Sequence, residues 1–204
     1  MSKVVLWDYP KSSASYRVRI ALSLAGIAYD IETVNLLEGA HRSPDHLERN
    51  PQGFVPVLDI DGHRLTQSLA ILEYLDGTRG LGLLSNDPAQ RAKAQALAYA
   101  IAVDLHPVCN LSVAAHATSG QDPARTEWMR HFIKPGLAAF EALLSGFDQT
   151  PFATGDTVGL ADICLIPQLY NANRWGVDYS DCPRISAVET ACKDIAAFKA
   201  ANPG

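Results

Sequence analysis

Hydrophobic positions change period along the chain. Residues 3–7 are short, apolar and β-branched, which predicts a strand; over residues 15–25, Val18, Ala21, Leu22 and Ala25 then fall at i, i+3, i+4 and i+7. That spacing is a helix, with Gly26 placed as its stop. Alternation returns over residues 29–34 as a second strand. Ser43-Pro44 ahead of Asp45 predicts a short helix with proline in its first turn, and Asn50-Pro51-Gln52-Gly53 forces a turn. Residues 56–60 and 63–66 flank Asp61-Gly62, a pair suited to a two-residue hairpin, and a helix follows from Ser68 to about residue 76.

The order βαβαββα is a compact α/β unit with a parallel crossover first and an antiparallel hairpin last, the thioredoxin-like layout. Gly77, Gly80, Gly82 and Pro88 mark residues 77–88 as a linker. Beyond it strand signals vanish. Residues 89–117, 123–144, 160–173 and 184–201 are Ala- and Leu-rich with helical spacing. Two domains are therefore expected: residues 1–80, α/β and thioredoxin-like, and residues 89–204, all-helical.

Composition narrows the function. Hydrophobic residues make up 48% and charged residues 19%, so an ordered core forms. The 17 Lys and Arg against 22 Asp and Glu leave a net charge of -5, which excludes a broad basic surface, so neither nucleic acid nor membrane is expected as a partner. Four cysteines, none in a C-x-x-C pair and two inside apolar helical runs, argue against a disulfide or zinc framework and for a reducing compartment with no bound metal. Apolar residues 4–7 and 96–103 are too short for a signal core or a membrane span, and a cytoplasmic location is expected.

Ser12 and Ser13 lie between the first strand and first helix, where hydroxyls and unpaired helix N–H groups converge on one point. Such a point stabilises a thiolate, and with no cysteine in this loop the thiol comes from a ligand. The plainer reading is that Ser12, Ser13 or Ser15 caps the helix.

The run Ser12-Ser13-Ala14-Ser15-Tyr16-Arg17-Val18-Arg19-Ile20-Ala21-Leu22 closely resembles the S-S-C-x-W-R-V-R-I-A-L signature of zeta-class glutathione transferases, which are maleylacetoacetate isomerases. The likeness continues through Asn50-Pro51, Val55-Pro56, Gln67-Ser68-Leu69-Ala70-Ile71, Asn110-Leu111-Ser112-Val113, Ala161-Asp162 and Pro167-Gln168 to Asn171-Ala172 and Arg174, across essentially the whole chain. The resemblance implies the glutathione transferase fold, glutathione as a recycled cofactor, a dicarboxylic acid substrate and a homodimer.

It also implies roles. Ser12 and Ser13 stabilise the glutathione thiolate, with Arg17 of the same signature on the cofactor side. Val55, ahead of a proline that is cis in the family, offers its backbone to the cysteinyl unit. Gln67 and Ser68 hold the γ-glutamyl carboxylate, a role compatible with Ser68 as an N-cap. His41 contacts the glycine end, and Cys109 stands where many zeta enzymes have a glutamine that touches glutathione. Arg174 binds a substrate carboxylate, for which a planar guanidinium suits a bidentate clamp. His106-Pro107 kinks its helix and resembles bacterial maleylpyruvate isomerases, giving His106 a proton or carboxylate role.

Departures are Ala14 for the signature cysteine, Cys109 for glutamine, Gly159 for the threonine of a capping box whose Asp162 is kept, and no arginine at Leu111 or Ser112 of the kind associated with maleylpyruvate enzymes. The expected reaction is glutathione-dependent cis–trans isomerisation of maleylacetoacetate. Maleylpyruvate isomerisation and α-haloacid dehalogenation are the enzymatic alternatives, and a glutathione-fold binding or stress protein is the non-enzymatic one.

Overall fold

A computed structural model describes residues 3–148 and 150–204. They gather into two compact units, one running to Leu81 and taking in Ala196–Gly204, the other Gly82–Ile195.

The first unit contains β1 (Val5–Asp8), α1 (Ser13–Leu24), β2 (Asp30–Thr33), a 3-10 turn (Ala40–Arg42), α2 (Pro44–Arg49), β3 (Val57–Ile60), β4 (His63–Thr66) and α3 (Ser68–Arg79). The sheet order is β2-β1-β3-β4, with β1 parallel to β2 and β3 antiparallel to both its neighbours. This is the expected thioredoxin-like arrangement. Asp61 and Gly62 take φ values of 54° and 82° opposite the Ile60–His63 pair, the positive-φ geometry of a tight hairpin. β2 differs from the half-buried strand expected from its alternation: all four residues are exposed, because it is the sheet edge, and Asp30 and Glu32 blunt that edge.

α1 is buried from Ser15 through Leu22, arginines included. Apolar spacing accounts for Val18, Ala21 and Leu22 but not for Arg17 and Arg19, which are only 2% and 5% exposed. A buried guanidinium persists only when its donors are met. Arg19 Nη1 donates to both carboxylate oxygens of Asp8 (2.8 and 2.7 Å), Nη2 to the Pro10 carbonyl (2.9 Å) and Nε to the Ala201 carbonyl (3.0 Å).

That last bond explains a departure in domain layout. Residues 184–201, expected as one helix, form α9 (Pro183–Lys193) and α10 (Ala196–Ala201), and α10 packs on α1 with Ala197, Phe198 and Ala201 buried. The second domain therefore ends at Ile195 instead of continuing to 204, and its start falls at Gly82, inside the expected linker.

The rest of the second unit comprises α4 (Pro88–Tyr99), a π-helical stretch (Ala100–Leu105), α5 (His106–Val108), α6 (Leu111–Thr118), α7 (Ala124–Leu144) and α8 (Leu160–Arg174). The single helix expected over 89–117 is thus interrupted. Pro107 has no N–H to return and crowds the carbonyl one turn earlier, which widens the preceding turn, and Asn110 then leaves the helix with ψ of 141°. α7 buries Met129, Ile133, Leu137, Phe140 and Leu144 as one stripe. Among the described residues no single helix is long and apolar enough to cross a membrane.

Candidate functional site

The chain leaves β1, turns through a Ser12 N–H to Tyr9 carbonyl bond of 2.9 Å, and enters α1. Ser12 is the N-cap, its Oγ accepting from the Ser15 N–H at 3.2 Å. Capping uses the oxygen as acceptor and leaves the hydroxyl proton to be donated, so capping and anion binding are compatible. Ser13 is the first helical residue and buried. It shares a helix face with Arg17, four residues on.

Arg17 Nη1 donates to Ser68 Oγ at 3.0 Å, so the structure ties α1, one turn past its start, to the first residue of α3. Arginine can only donate; Ser68 Oγ is therefore an acceptor here, which leaves its own O–H to be donated. Ser68 is not the N-cap that its sequence position suggested. Gln67 holds that place with φ of 67°, a backbone that L side chains rarely adopt, and Ser68 is the first residue of α3. The Gln67 amide donates to Gln52 Oε1 at 2.8 Å. Gln52 thereby joins the cluster, a position for which its turn context carried no chemical signal.

The Val55–Pro56 bond is cis, as the resemblance implied. Its approach is pinned from the preceding helix: the Phe54 carbonyl accepts from Asn50 Nδ2 (3.0 Å) and lies 3.0 Å from His46 Nε2. His41 sits in the 3-10 turn, and its carbonyl packs so close to Gly53 that an added Cβ would lie 3.0 Å away. With φ of 65° as well, Gly53 is required by both space and backbone. The His41 Nδ1 is buried with no hydrogen-bond partner among the described residues. Burial, then the neighbouring Arg42 and His46, hold its pKa below the ordinary histidine value, which favours the neutral ring.

The remaining candidates belong to the second unit. Arg174 is the exposed last residue of α8, its guanidinium 6.0 Å from the Tyr170 ring and 5.9 Å from the Trp175 ring. Among the described residues no carboxylate pairs with it, whereas nearby Arg125 is taken by Asp122 at 3.0 Å. His106 opens α5, directly after the π-helical stretch. Cys109 is buried, and burial pushes its thiol up to about 12, so it is a neutral S–H group. No group of three or more His, Cys, Asp or Glu among the described residues is arranged to hold a metal ion.

Cys164, Cys182 and Cys192 are also buried and in no disulfide. A colorimetric disulfide reagent is expected to modify none of the four cysteines rapidly in the folded protein and all of them in denaturant. One fast thiol in the native state would contradict this placement.

Residues 2–77 match the glutathione S-transferase N-terminal domain. The chain is 55% identical over 206 residues to a maleylacetoacetate isomerase of Rhizobium meliloti (strain 1021), spanning 99% of this chain and 97% of that one. A bacterial maleyl pyruvate isomerase described as a zeta-class glutathione S-transferase superposes with a TM-score of 0.93 at 36% identity, over 98% and 96% of the two chains. The maleylacetoacetate isomerase of Methylobacterium extorquens AM1, solved with bound malonate and glutathione, gives a TM-score of 0.90 at 38% identity, again over 98% and 96%.

Proposed function

The chain belongs to the zeta-class glutathione transferase and maleylacetoacetate isomerase family, and from that premise we propose that it converts maleylacetoacetate to fumarylacetoacetate with glutathione as cofactor. The carrying observation is the donor set of the first unit. The hydroxyls of Ser12 and Ser68 sit at the N-terminal ends of α1 and α3, and the buried Arg17 of α1 donates to Ser68.

These residues fit glutathione. Two helix N-termini suit two of its anionic groups, the thiolate and the γ-glutamyl carboxylate. The buried, unpaired His41 Nδ1 awaits a polar partner, consistent with the glycine end. Ser12 and Ser13 hold the thiolate, Gln67 and Ser68 the γ-glutamyl carboxylate, and Val55 the cysteinyl backbone. When bound, glutathione would supply the thiol nucleophile that reversible addition to a conjugated double bond, and so cis–trans isomerisation, requires.

The chain's own residues do the rest. The Ser12 hydroxyl and the α1 terminus favour the ionised sulfur, and Arg174 orients the substrate by a carboxylate. Ala14 removes any protein thiol from this loop, and the reaction needs none. Cys109, as a neutral S–H group, contributes at most a weak donor where glutamine would offer two-way amide bonding.

Ser12→Ala is expected to raise the pKa of bound glutathione, moving its ultraviolet titration midpoint up by about one pH unit, the worth of a hydrogen bond to a charged group. An unmoved midpoint would transfer the role to Ser13 and the backbone.

A second reading, maleylpyruvate as substrate, draws on His106-Pro107 and on the likeness to the maleyl pyruvate isomerase. We also place the protein in the cytoplasm as a homodimer. Tyr99 and Val103, exposed by 41% and 51% and four residues apart, supply apolar surface for a second copy. Light scattering is expected to return twice the 22.0 kDa chain mass, and a monomer mass would overturn this assignment.

A further inference from the structure

Trp175 caps α8 and is locked from several directions. The helix ends with the Gly176 N–H on the Asn173 carbonyl (3.1 Å) and the Val177 N–H on the Ala172 carbonyl (3.0 Å), with Gly176 at φ of 61°. This paired closure fixes the backbone at residues 174–176. Arg130 Nε donates to the Trp175 carbonyl at 2.7 Å, and its guanidinium lies so close to Gly176 that a Cβ there would meet it at 2.8 Å. The indole Nε1–H donates to Asn171 Oδ1, one turn back, at 3.1 Å. Backbone and ring are therefore both held.

On that fixed ring lie two guanidiniums, Arg174 at 5.9 Å and Arg125 at 5.5 Å from its centre. Both fall within the range at which a cation is attracted to an indole face. Arg125 is neutralised by Asp122, and Arg174 has no carboxylate partner among the described residues. A guanidinium drawn to a ring by this attraction still has N–H donors for a ligand. An exposed arginine otherwise loses considerable side-chain freedom when it captures a carboxylate, and being held near the ring removes part of that cost beforehand.

We propose that Trp175 is the positioning residue of Arg174: the indole, locked by Asn171 and Arg130, holds the guanidinium with its edge presented to the substrate carboxylate. This rests on the assignment of Arg174 as the carboxylate-binding residue. Because a carboxylate is present in ground state and transition state alike, the loss of this support appears in KM and in diacid affinity, with little change in kcat.

The test measures malonate binding by calorimetry in saturating glutathione, and steady-state turnover, for the parent, Trp175→Leu, Trp175→Phe, Arg174→Ala and the Trp175→Leu/Arg174→Ala pair. Trp175→Leu is expected to weaken malonate about tenfold and raise KM alike, with kcat within about threefold. Trp175→Phe, which keeps an aromatic face, recovers most of the affinity. In the Arg174→Ala background Trp175→Leu weakens malonate no further, because the ring acts through that arginine. Trp175→Met replaces the leucine variant should the latter fail to fold. An equal loss from Trp175→Leu with and without Arg174, or no loss beside a damaged Arg174→Ala, overturns the role of Trp175. Unchanged malonate binding in Arg174→Ala instead overturns the underlying assignment of Arg174.

Discussion

Arg174→Ala is expected to lower kcat/KM for maleylacetoacetate about a hundredfold, the worth of a charge-assisted, bidentate carboxylate contact. The residue sits at the exposed end of α8 with no carboxylate among the described residues to neutralise it, near two aromatic rings that cannot do so. Its charge is therefore free for a ligand anion. Most of the loss should lie in KM. Arg174→Lys keeps the charge but not the planar fork, so it should recover only part of the affinity. Thermal unfolding of both variants is expected to match the parent, since an exposed side chain at a helix end contributes little to stability. A kcat/KM within twofold of the parent would remove Arg174 from the substrate site.

Asp162→Ala is expected to cost about 3 kcal/mol of stability, because two buried backbone donors lose their acceptor. Oδ1 of Asp162 accepts from the Ala153 N–H at 2.9 Å and Oδ2 from the Gly159 N–H at 2.8 Å. One carboxylate thus ties the loop before α8 to the helix start, the half of the capping box that the glycine at 159 leaves intact. Glycine suits that place: a Cβ would lie 3.1 Å from Thr154 Oγ1 and 3.3 Å from the Leu83 carbonyl.

Burial pushes the Asp162 carboxyl up to about 6 from 3.8, against the pull of the backbone N–H groups. The folded state therefore holds this proton more tightly than the unfolded one. The group's pH-linked contribution is complete below about pH 4 and is lost as pH rises through about 6. Asp162→Asn removes that dependence. Parent stability minus asparagine-variant stability, from denaturant melts, should fall across that window. A flat difference would mean that the carboxylate is not desolvated as described.

Local chemistry was legible where it was decided locally. The Asp61-Gly62 hairpin, the βαβαββα order and a serine cap on α1 each follow from a few neighbouring residues, and each is found, the cap at Ser12 among the three serines open to it. What escaped the sequence was set by partners far along the chain. Arg19 reads as a polar position on an amphipathic helix, yet it is buried because Asp8, Pro10 and the Ala201 carbonyl surround it. The same bond to Ala201 returns the C-terminal helix to the first unit, against a helical pattern that ran on without interruption. Gln52 carried only a turn signal, and its place beside Gln67 depends on a strained φ that no propensity encodes. At Pro107 the break was expected, but its form, a π-helical stretch ahead of the proline, came from crowding within the preceding turn. For Arg174 composition was silent and the family signature spoke: a helix-terminal arginine is ordinary until no acid among the described residues is found to meet it.

The central claim is tested most directly by giving the purified protein maleylacetoacetate and, in parallel, maleylpyruvate, with and without glutathione, and following each trans product through its specific hydrolase. Turnover that requires glutathione and favours maleylacetoacetate is expected. Faster turnover of maleylpyruvate, or isomerisation independent of glutathione, would contradict it.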